Sequence, residues 1–379
     1  MATKVTPLQL KVRDAGKVQL ETVLVMQGGG SLGAYECGVY KTLANKGIKF
    51  DIIAGTSIGA INAAIIVSSK NDEPERDLED FWLDVAEKIT PPVLPDNIRC
   101  LISSAYAAMY GNLKAFVPLW FMMPQLNANE DQSHLSYYKW PYLYSTAPLK
   151  TTLLEYVDFS KLSPSAANSN HPRLIITSTD IQKGESVTFD SRSMSIDADH
   201  VIACAGFPFY GIAWTEKDGR YLWDGALQSN TPLREVIDAS PKSHKNVYIV
   251  NLFPRVQNEL PENLLDSWHR ARDIMHTDKT EHNIKMSKVI SRYLTLLREM
   301  HDIICNVQLD DKMNAWFKEI EKEYHKLADE RGAIIEKITR IERSEDVHFV
   351  FEDADFSIDT IKKLIKQGEK DTENILATN

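Results

Sequence analysis

An α/β fold is what the order of strand-forming and helix-forming stretches predicts, and three observations carry it. Thr22-Val-Leu-Val-Met-Gln27 is a short apolar run that suits a buried strand. It passes through a glycine-rich loop, Gly28-Gly-Gly-Ser-Leu-Gly33, into a helix with Tyr35, Val39 and Leu43 on one side. Asp51-Ile-Ile-Ala-Gly-Thr-Ser57-Ile-Gly59 repeats that grammar, as an apolar strand, a Gly-x-Ser-x-Gly turn and an apolar helix with no gap between them. Further strand-like runs at 172–180, 185–189 and 246–253 stand between turn and helix signals.

The 379 residues are 43% hydrophobic and 25% charged, enough for a real core in one large or two modest domains. No apolar run nears the ~18 residues that cross a bilayer, and Lys4, Lys11, Arg13, Asp14 and Lys17 break up the start of the chain. The sequence therefore reads as intracellular, hence cytoplasmic. Cys37, Cys100, Cys204 and Cys305 lack C-x-x-C pairing, which fits reduced thiols and no metal centre. A formal charge of −10 argues against electrostatic binding to nucleic acid or anionic lipid, so any lipid-surface contact has to be mostly apolar. No cofactor is expected.

Gly55-Thr-Ser57-Ile-Gly59 has the form of a nucleophile elbow. A serine held between strand and helix presents its hydroxyl above the sheet, and glycine is needed at Gly55 and Gly59 because side chains there would strike the neighbouring strand and helix. The bland alternative is a tight turn whose serine caps the following helix. The first loop also matches G-x-G-x-x-G, but the dinucleotide reading asks for an acidic residue at the end of the second strand, and Asp51 precedes Ile52 and Ile53. Unhindered backbone N–H groups beside a helix start stabilise negative charge in general, and with Ser57 one strand away an oxyanion is the better tenant.

Asp72–Lys88 is a scaffold helix with Leu78, Phe81, Trp82 and Val85 at helical spacing. The charge-poor stretch Asn97–Pro124 reads either as core packed on the sheet or as the lining of an acyl pocket, with Phe116 and Trp120 as candidates. Pro172–Asp180 and Glu185–Phe189 suit a hairpin, and Ile196–Cys204 a short helix stopped by Gly206 and Pro208. Asp224 sits on an Asp-Gly turn after an aromatic-rich strand, and Asn230 reads as the cap of the next helix.

Gly28-Gly-Gly-Ser-Leu-Gly-Ala-Tyr, Gly55-Thr-Ser-Ile-Gly59, Ala203-Cys-Ala-Gly-Phe-Pro208 and Asp224-Gly-Ala226, in that order, resemble the patatin-like phospholipases over residues ~20–255. The resemblance implies a mostly parallel central sheet flanked by helices and a Ser–Asp dyad, with Ser57 as nucleophile and Asp224 as base. It implies an oxyanion hole from Gly28, Gly29, Gly30 and Ser31, and Phe207 and Pro208 join the candidate pocket residues. The family's usual D-G-G reads D-G-A here. Asp353-Ala-Asp-Phe-Ser357 with Thr360, Gly368 and Asp371 is similar to longer microbial members. A Ser-Asp-His triad is the competing scheme, with His244, His269 and His276 as possible third members. None of them lies in a glycine turn or after a strand, so they read as surface or helical histidines.

Beyond Arg255 the chain turns to long charged helices. Met313, Phe317, Ile320, Tyr324, Leu327, Ile334, Ile338 and Ile341 repeat at heptad spacing, broken only by Arg331, and predict one helix over 313–341. With the shorter seam Ile290, Leu294, Leu297, His301 and Ile304 it offers either a helical hairpin inserted in the fold or a homodimer contact. Val347–Glu352 reads as a strand rejoining the sheet. The expected division is a catalytic domain at 1–282, a helical arm at 283–345 and a returning strand and helix at 346–379. The expected activity is hydrolysis of lipid acyl esters, phospholipid or lysophospholipid first. A polyhydroxyalkanoate depolymerase or general carboxylesterase is the enzymatic alternative, and a scaffold working through the arm is the non-enzymatic one.

Overall fold

The two strand–turn–helix units form the middle of the sheet. β1 (Leu20–Met26) runs through its glycine loop into α1 (Ala34–Asn45), and β2 (Ile52–Thr56) runs through Ser57 into α2 (Ile58–Val67). The strands pair in parallel, Val23 opposite Ile52 and Met26 opposite Gly55. β2 is buried at every position, which is why it reads as an unbroken apolar run rather than an alternating one. This computed structural model describes residues 20–91, 93–121, 140–165, 171–240, 243–258, 260–306, 311–331, 335–344 and 351–378.

After α2 come α3 (Pro74–Val85), α4 (Asp96–Tyr110), the short pair β3 (Val117–Pro118) and β4 (Tyr144–Ser145), and α5 (Ala147–Tyr156). The hairpin β5 (Arg173–Asp180) and β6 (Glu185–Asp190) leads to α6 (Ala198–Ala203), β7 (Thr215–Lys217), β8 (Arg220–Asp224), α7 (Leu233–Ala239) and β9 (His244–Asn251). The chain closes with α8 (Leu264–Cys305), α9 (Asp311–Arg331), β10 (Ile335–Glu342) and α10 (Ile358–Thr378). Strand order is β10-β9-β1-β2-β5-β8-β7, with β6 also paired to β5. The five strands from β10 to β5 are mutually parallel; β6 and β8 run antiparallel to β5, and β7 pairs antiparallel with β8. The expected mostly parallel sheet flanked by helices is therefore present.

The larger core packs α1, α2, α3 and α10 on one face, burying Tyr35, Leu43, Ile65, Trp82 and Ile365. A smaller core on the other face sets Leu233 and Val236 of α7 against Val23, Val25 and Ile249. α10 crosses α1 at a glycine contact. A Cβ on Gly38 would lie 1.9 Å from the Ile365 carbonyl oxygen, and one on Gly368 would lie 2.1 Å from that of Tyr35.

The single helix expected over Met313–Ile341 needs correction. α9 stops at Arg331, and Ile335–Glu342 is β10, lying parallel beside β9. Isoleucines spaced by three look like one helical stripe, yet in a strand that spacing alternates faces. Ile338 packs on the smaller core and Ile341 is buried in the larger one. β-branched Ile335, Ile338, Thr339 and Ile341 also favour the extended form. Of the strand expected at Val347–Glu352, residues 347–350 lie outside the described residues, and Phe351 and Glu352 belong to a turn and a 3-10 helix at Glu352–Ala354. β10 is the segment that rejoins the sheet. α8 meets α9 where His301 stacks on Tyr324 at 4.2 Å, while Met313, Trp316 and Ile320 stay exposed. Met122, Met123, Pro124 and His134 also lie outside the described residues.

Candidate active site

Ser57 stands at the strand-to-helix turn with φ 56° and ψ −127°. A non-glycine residue adopts such backbone at a cost of order 1–3 kcal/mol, which a tightly specified turn has to offset. The turn is tightly specified. A Cβ on Gly55 would lie 2.1 Å from the Gly59 carbonyl oxygen, and one on Gly59 would lie 2.6 Å from that of Met26. The Ser57 side chain makes no capping hydrogen bond to α2, which excludes the capping alternative. Its hydroxyl is left to the site.

β5 brings Asp224 to the same place. β2 pairs along one edge of β5 and ends with Thr56 opposite Thr177, while β8 comes from the opposite direction and ends with Asp224 opposite Ser178. β6 covers the other edge of β5 from Ile175 to Asp180, so β2 and β8 meet head to head on one edge. Hydroxyls fix the junction. Thr56 Oγ1 lies 2.7 Å from Thr177 Oγ1, and Thr179 Oγ1 donates to the Asp224 carbonyl at 2.9 Å. The Asp224 side chain is 0% exposed. Its Oδ1 accepts the Ala226 N–H at 2.8 Å, and Oδ2 has no partner among the described residues. Burial pushes its pKa up to about 7, against the opposing pull of the Ser57 hydroxyl and the Ala226 N–H. The alanine in D-G-A thus leaves the aspartate and its turn intact.

In the glycine loop, the Gly28 N–H donates to the Asn230 carbonyl at 3.3 Å, and Asn230 Nδ2 donates back to the Gly28 carbonyl at 3.1 Å. Asn230 is therefore a clamp on the loop; α7 takes Pro232 as its N-cap instead. The N–H groups of Gly29 and Gly30 donate to no group among the described residues. Gly30 has φ 56°, and a Cβ there would lie 2.2 Å from the Asp353 carbonyl oxygen. The Ser31 hydroxyl faces away from Ser57 chemistry and donates to the Glu352 carbonyl at 3.0 Å.

The loop thus leans on residues 352–354, a contact that sequence reasoning missed. A buried charge cluster fixes that turn. Glu352 Oε1 lies 2.9 Å from Arg343 and 3.1 Å from Arg272, Asp353 Oδ1 lies 3.2 Å from Arg272, and Tyr210 donates to Asp353 Oδ2 at 2.7 Å. Burial works to raise the Glu352 pKa, but Arg343, with Arg272 and His269, holds it below the usual carboxylate range. Burial raises that of Asp353 despite Arg272.

A cavity of about 420 Å³ opens over these groups, with Gly28, Gly29, Gly30, Ser57 and Asp224 in its lining. Its walls are apolar, including Ile58, Trp82, Phe116, Phe207, Phe253 and Phe356. Two of the four candidate pocket residues, Phe116 and Phe207, lie there. Trp120 does not; its ring packs from outside on Tyr144, a wall residue, at 5.7 Å. Pro208 begins a short 3-10 helix and is also outside the lining. Within Asn97–Tyr110, Cys100 is buried, whereas Leu101 and Ala107, like Phe116 further on, line the cavity.

His269 and His276 are helical, as the sequence suggests, but buried rather than at the surface. His276 is buried on α8, stacks on Phe253 at 4.9 Å and lines the cavity. His269 is buried beside Asp273 and Glu352, and His244 lies 3.3 Å from Arg298. A histidine spaced along a long helix carries no local sign that its turn faces a cavity.

A family model, Patatin-like phospholipase, matches residues 24–237, more than half of the chain. The chain belongs to the patatin-like phospholipase family. The matched region holds the patatin elbow, the glycine loop and Asp224, whereas His276 and the Glu352–Ala354 turn lie beyond it. Within curated proteins, a stretch of 42 residues is 55% identical to lysophospholipase nte1 of Aspergillus terreus, covering 11% of this chain and 3% of that one. A stretch of 61 residues is 38% identical to triacylglycerol lipase SDP1L of Arabidopsis thaliana, covering 16% of this chain and 8% of that one. The chain thus spans only a small part of the length of these relatives. Among solved structures, VipD from Legionella pneumophila aligns with TM-score 0.36 at 12% identity, over 94% of this chain and 67% of that one. ExoU of Pseudomonas aeruginosa, in complex with SpcU, aligns with TM-score 0.30 at 14% identity, over 82% and 60%.

Proposed function

We propose that this patatin-like chain is a serine ester hydrolase of lipid acyl esters, phospholipid or lysophospholipid first, working through a Ser57–Asp224 dyad. The observation that carries the reading is the head-to-head meeting of β2 and β8 on β5, which brings the half-buried elbow serine and a buried carboxylate with an unpartnered oxygen to one junction. A carboxylate is a weak base for a serine hydroxyl, and a pKa raised to about 7 brings it nearer the task. Asp224 Oδ2 takes the proton as Ser57 Oγ attacks the ester carbonyl. The N–H groups of Gly29 and Gly30, with the first turn of α2, hold the oxyanion. Collapse breaks the ester C–O bond, the leaving alcohol takes the proton from Asp224, and the acyl group stays on Ser57. Water then repeats the sequence with Asp224 as base and releases the fatty acid. The apolar walls suit an acyl chain.

Labelling with a fluorophosphonate tests the serine, and Ser57→Ala should abolish both labelling and turnover. Labelling that persists in Ser57→Ala moves the nucleophile to another residue and refutes the dyad, and no labelling in the wild type leaves the scaffold reading. A panel of phospholipids, simple esters and polyhydroxybutyrate separates lipase from carboxylesterase and depolymerase. His276 gives the triad alternative its one support, since it lines the cavity. His276→Ala should keep activity within about tenfold, ~1.4 kcal/mol in barrier. Loss equal to that of Ser57→Ala in a folded variant would restore the triad.

No helix among the described residues is long and apolar enough to cross a membrane. Cys37, Cys100 and Cys204 are buried thiols, which agrees with a reducing, cytoplasmic setting for the proposed enzyme.

A further inference from the structure

An outer helix of an α/β protein ordinarily shows water a charged face. α4 does not. From Leu101 to Tyr110 it carries no charged side chain, and Leu101, Ile102, Tyr106, Met109 and Tyr110 are exposed, Met109 by 59%. The surface continues along a chain of aromatic rings, Tyr106 to Tyr110 at 4.9 Å, Tyr110 to Phe121 at 6.3 Å and Phe121 to Trp120 at 6.5 Å. Phe209, 74% exposed, packs on the wall residue Phe207 at 5.5 Å. A contiguous apolar patch of this kind marks an interaction site rather than ordinary surface.

Its position says which interaction. Leu101, Ala105 and Ala108 are both exposed and part of the cavity lining, so the patch is the rim of the opening that leads to Ser57. The cations that flank this part of α4 in the sequence are engaged, Arg99 with Asp96 at 2.6 Å and Lys114 with Asp84 at 2.9 Å, and the whole chain carries a charge of −10. Little is left to attract anionic phosphate. Tyrosine and tryptophan, apolar in body and polar at one edge, suit the boundary between acyl chains and headgroups.

We propose that the α4 rim is a docking face for the surface of a zwitterionic or uncharged lipid aggregate, from which an acyl chain slides into the cavity without crossing water. This rests on the ester hydrolase reading above. Docking is apolar insertion, so charge on the aggregate contributes little and added salt does not weaken it.

The test separates docking from catalysis. Ser57→Ala protein, which cannot consume its ligand, is sedimented with vesicles of phosphatidylcholine alone, at low and high salt. It should bind equally at both. Adding Ile102→Asp and Met109→Asp, one helical face and outside the cavity lining, should cut binding roughly tenfold or more at unchanged thermal stability. The same pair in the otherwise wild-type enzyme should cut vesicle hydrolysis by a similar factor. It should also leave hydrolysis of a dissolved short-chain ester within about twofold. Three results overturn the proposal: no vesicle binding by Ser57→Ala, binding that needs phosphatidylglycerol and vanishes with salt, or a dimer that the two aspartates split. If instead the wild type hydrolyses neither ester and takes no fluorophosphonate, the catalytic reading fails while the vesicle result stands by itself.

Discussion

Asp224→Asn should abolish turnover and stabilise the fold, and both effects have one origin. The side chain is wholly buried, holds a single backbone N–H on Oδ1, and has a pKa of about 7 against an ordinary 3.8. An acid whose pKa is raised by folding is one that the native state prefers protonated. Stability is therefore undiminished below 3.8, is lost as pH rises towards 7, and stays lost above. A gap of about three units at ~1.36 kcal/mol each comes to ~4 kcal/mol. Linkage puts the cost at ~2 kcal/mol near about pH 5 and ~4 kcal/mol near about pH 8. Asparagine keeps the acceptor for Ala226 and never ionises, so its advantage over wild type should grow by ~2–3 kcal/mol between those two conditions. Urea unfolding of both proteins at both pH values gives that double difference, in which all other titrating groups cancel. Turnover should meanwhile fall by ~10²–10⁴. A stability difference that does not change with pH would mean that Asp224 ionises normally, and the argument for its basicity would go with it.

The wild-type kcat/KM should drop about tenfold per unit as pH falls below about 7, because protonated Asp224 cannot accept the Ser57 proton; a profile flat to about pH 5 rules Asp224 out as the base. Phe116→Ala should shift the acyl-chain optimum and Trp120→Ala should not, since only the first lines the cavity; the reverse pattern in a chain-length series would relocate the pocket. Gly30→Ala, which puts a methyl 2.2 Å from the Asp353 carbonyl oxygen at positive φ, should lower kcat more than it raises KM. Equal kcat in a folded variant would dissociate the loop from catalysis. Ile320→Asp on the exposed side of α9 should convert any dimer formed through 313–331 to monomer in sedimentation; an unchanged mass would leave that face without a partner copy.

The elbow was legible because everything that makes it is contiguous: five residues of β2, Ser57, and the start of α2. Gly55 and Gly59 also announce the close contacts they serve. Asp224 was legible only through the order of motifs, for its Asp-Gly turn is chemically ordinary, and what qualifies it is the register on β5 set by Thr177 and Ser178. β10 was misread because Ile338 and Ile341, the last members of the heptad series, satisfy a helical stripe and a two-faced strand alike. The roles of Asn230, His276 and Asp353 stayed hidden for a different reason. Each acts across a fold-level contact, and no local pattern tells an asparagine that clamps a loop from one that caps a helix.

The leaning of Gly30 and Ser31 on residues 352–354 has a consequence in time. Both proposed catalytic side chains have been synthesised once residue 224 is made, yet the turn that steadies the glycine loop is more than a hundred residues further on. At ordinary synthesis rates that gap is on the order of ten seconds. During it the nascent chain carries a serine and an aspartate without a supported loop between them and the substrate. A chain that stalls before Glu352 lacks the carbonyl groups of Glu352 and Asp353 on which Ser31 and Gly30 rest.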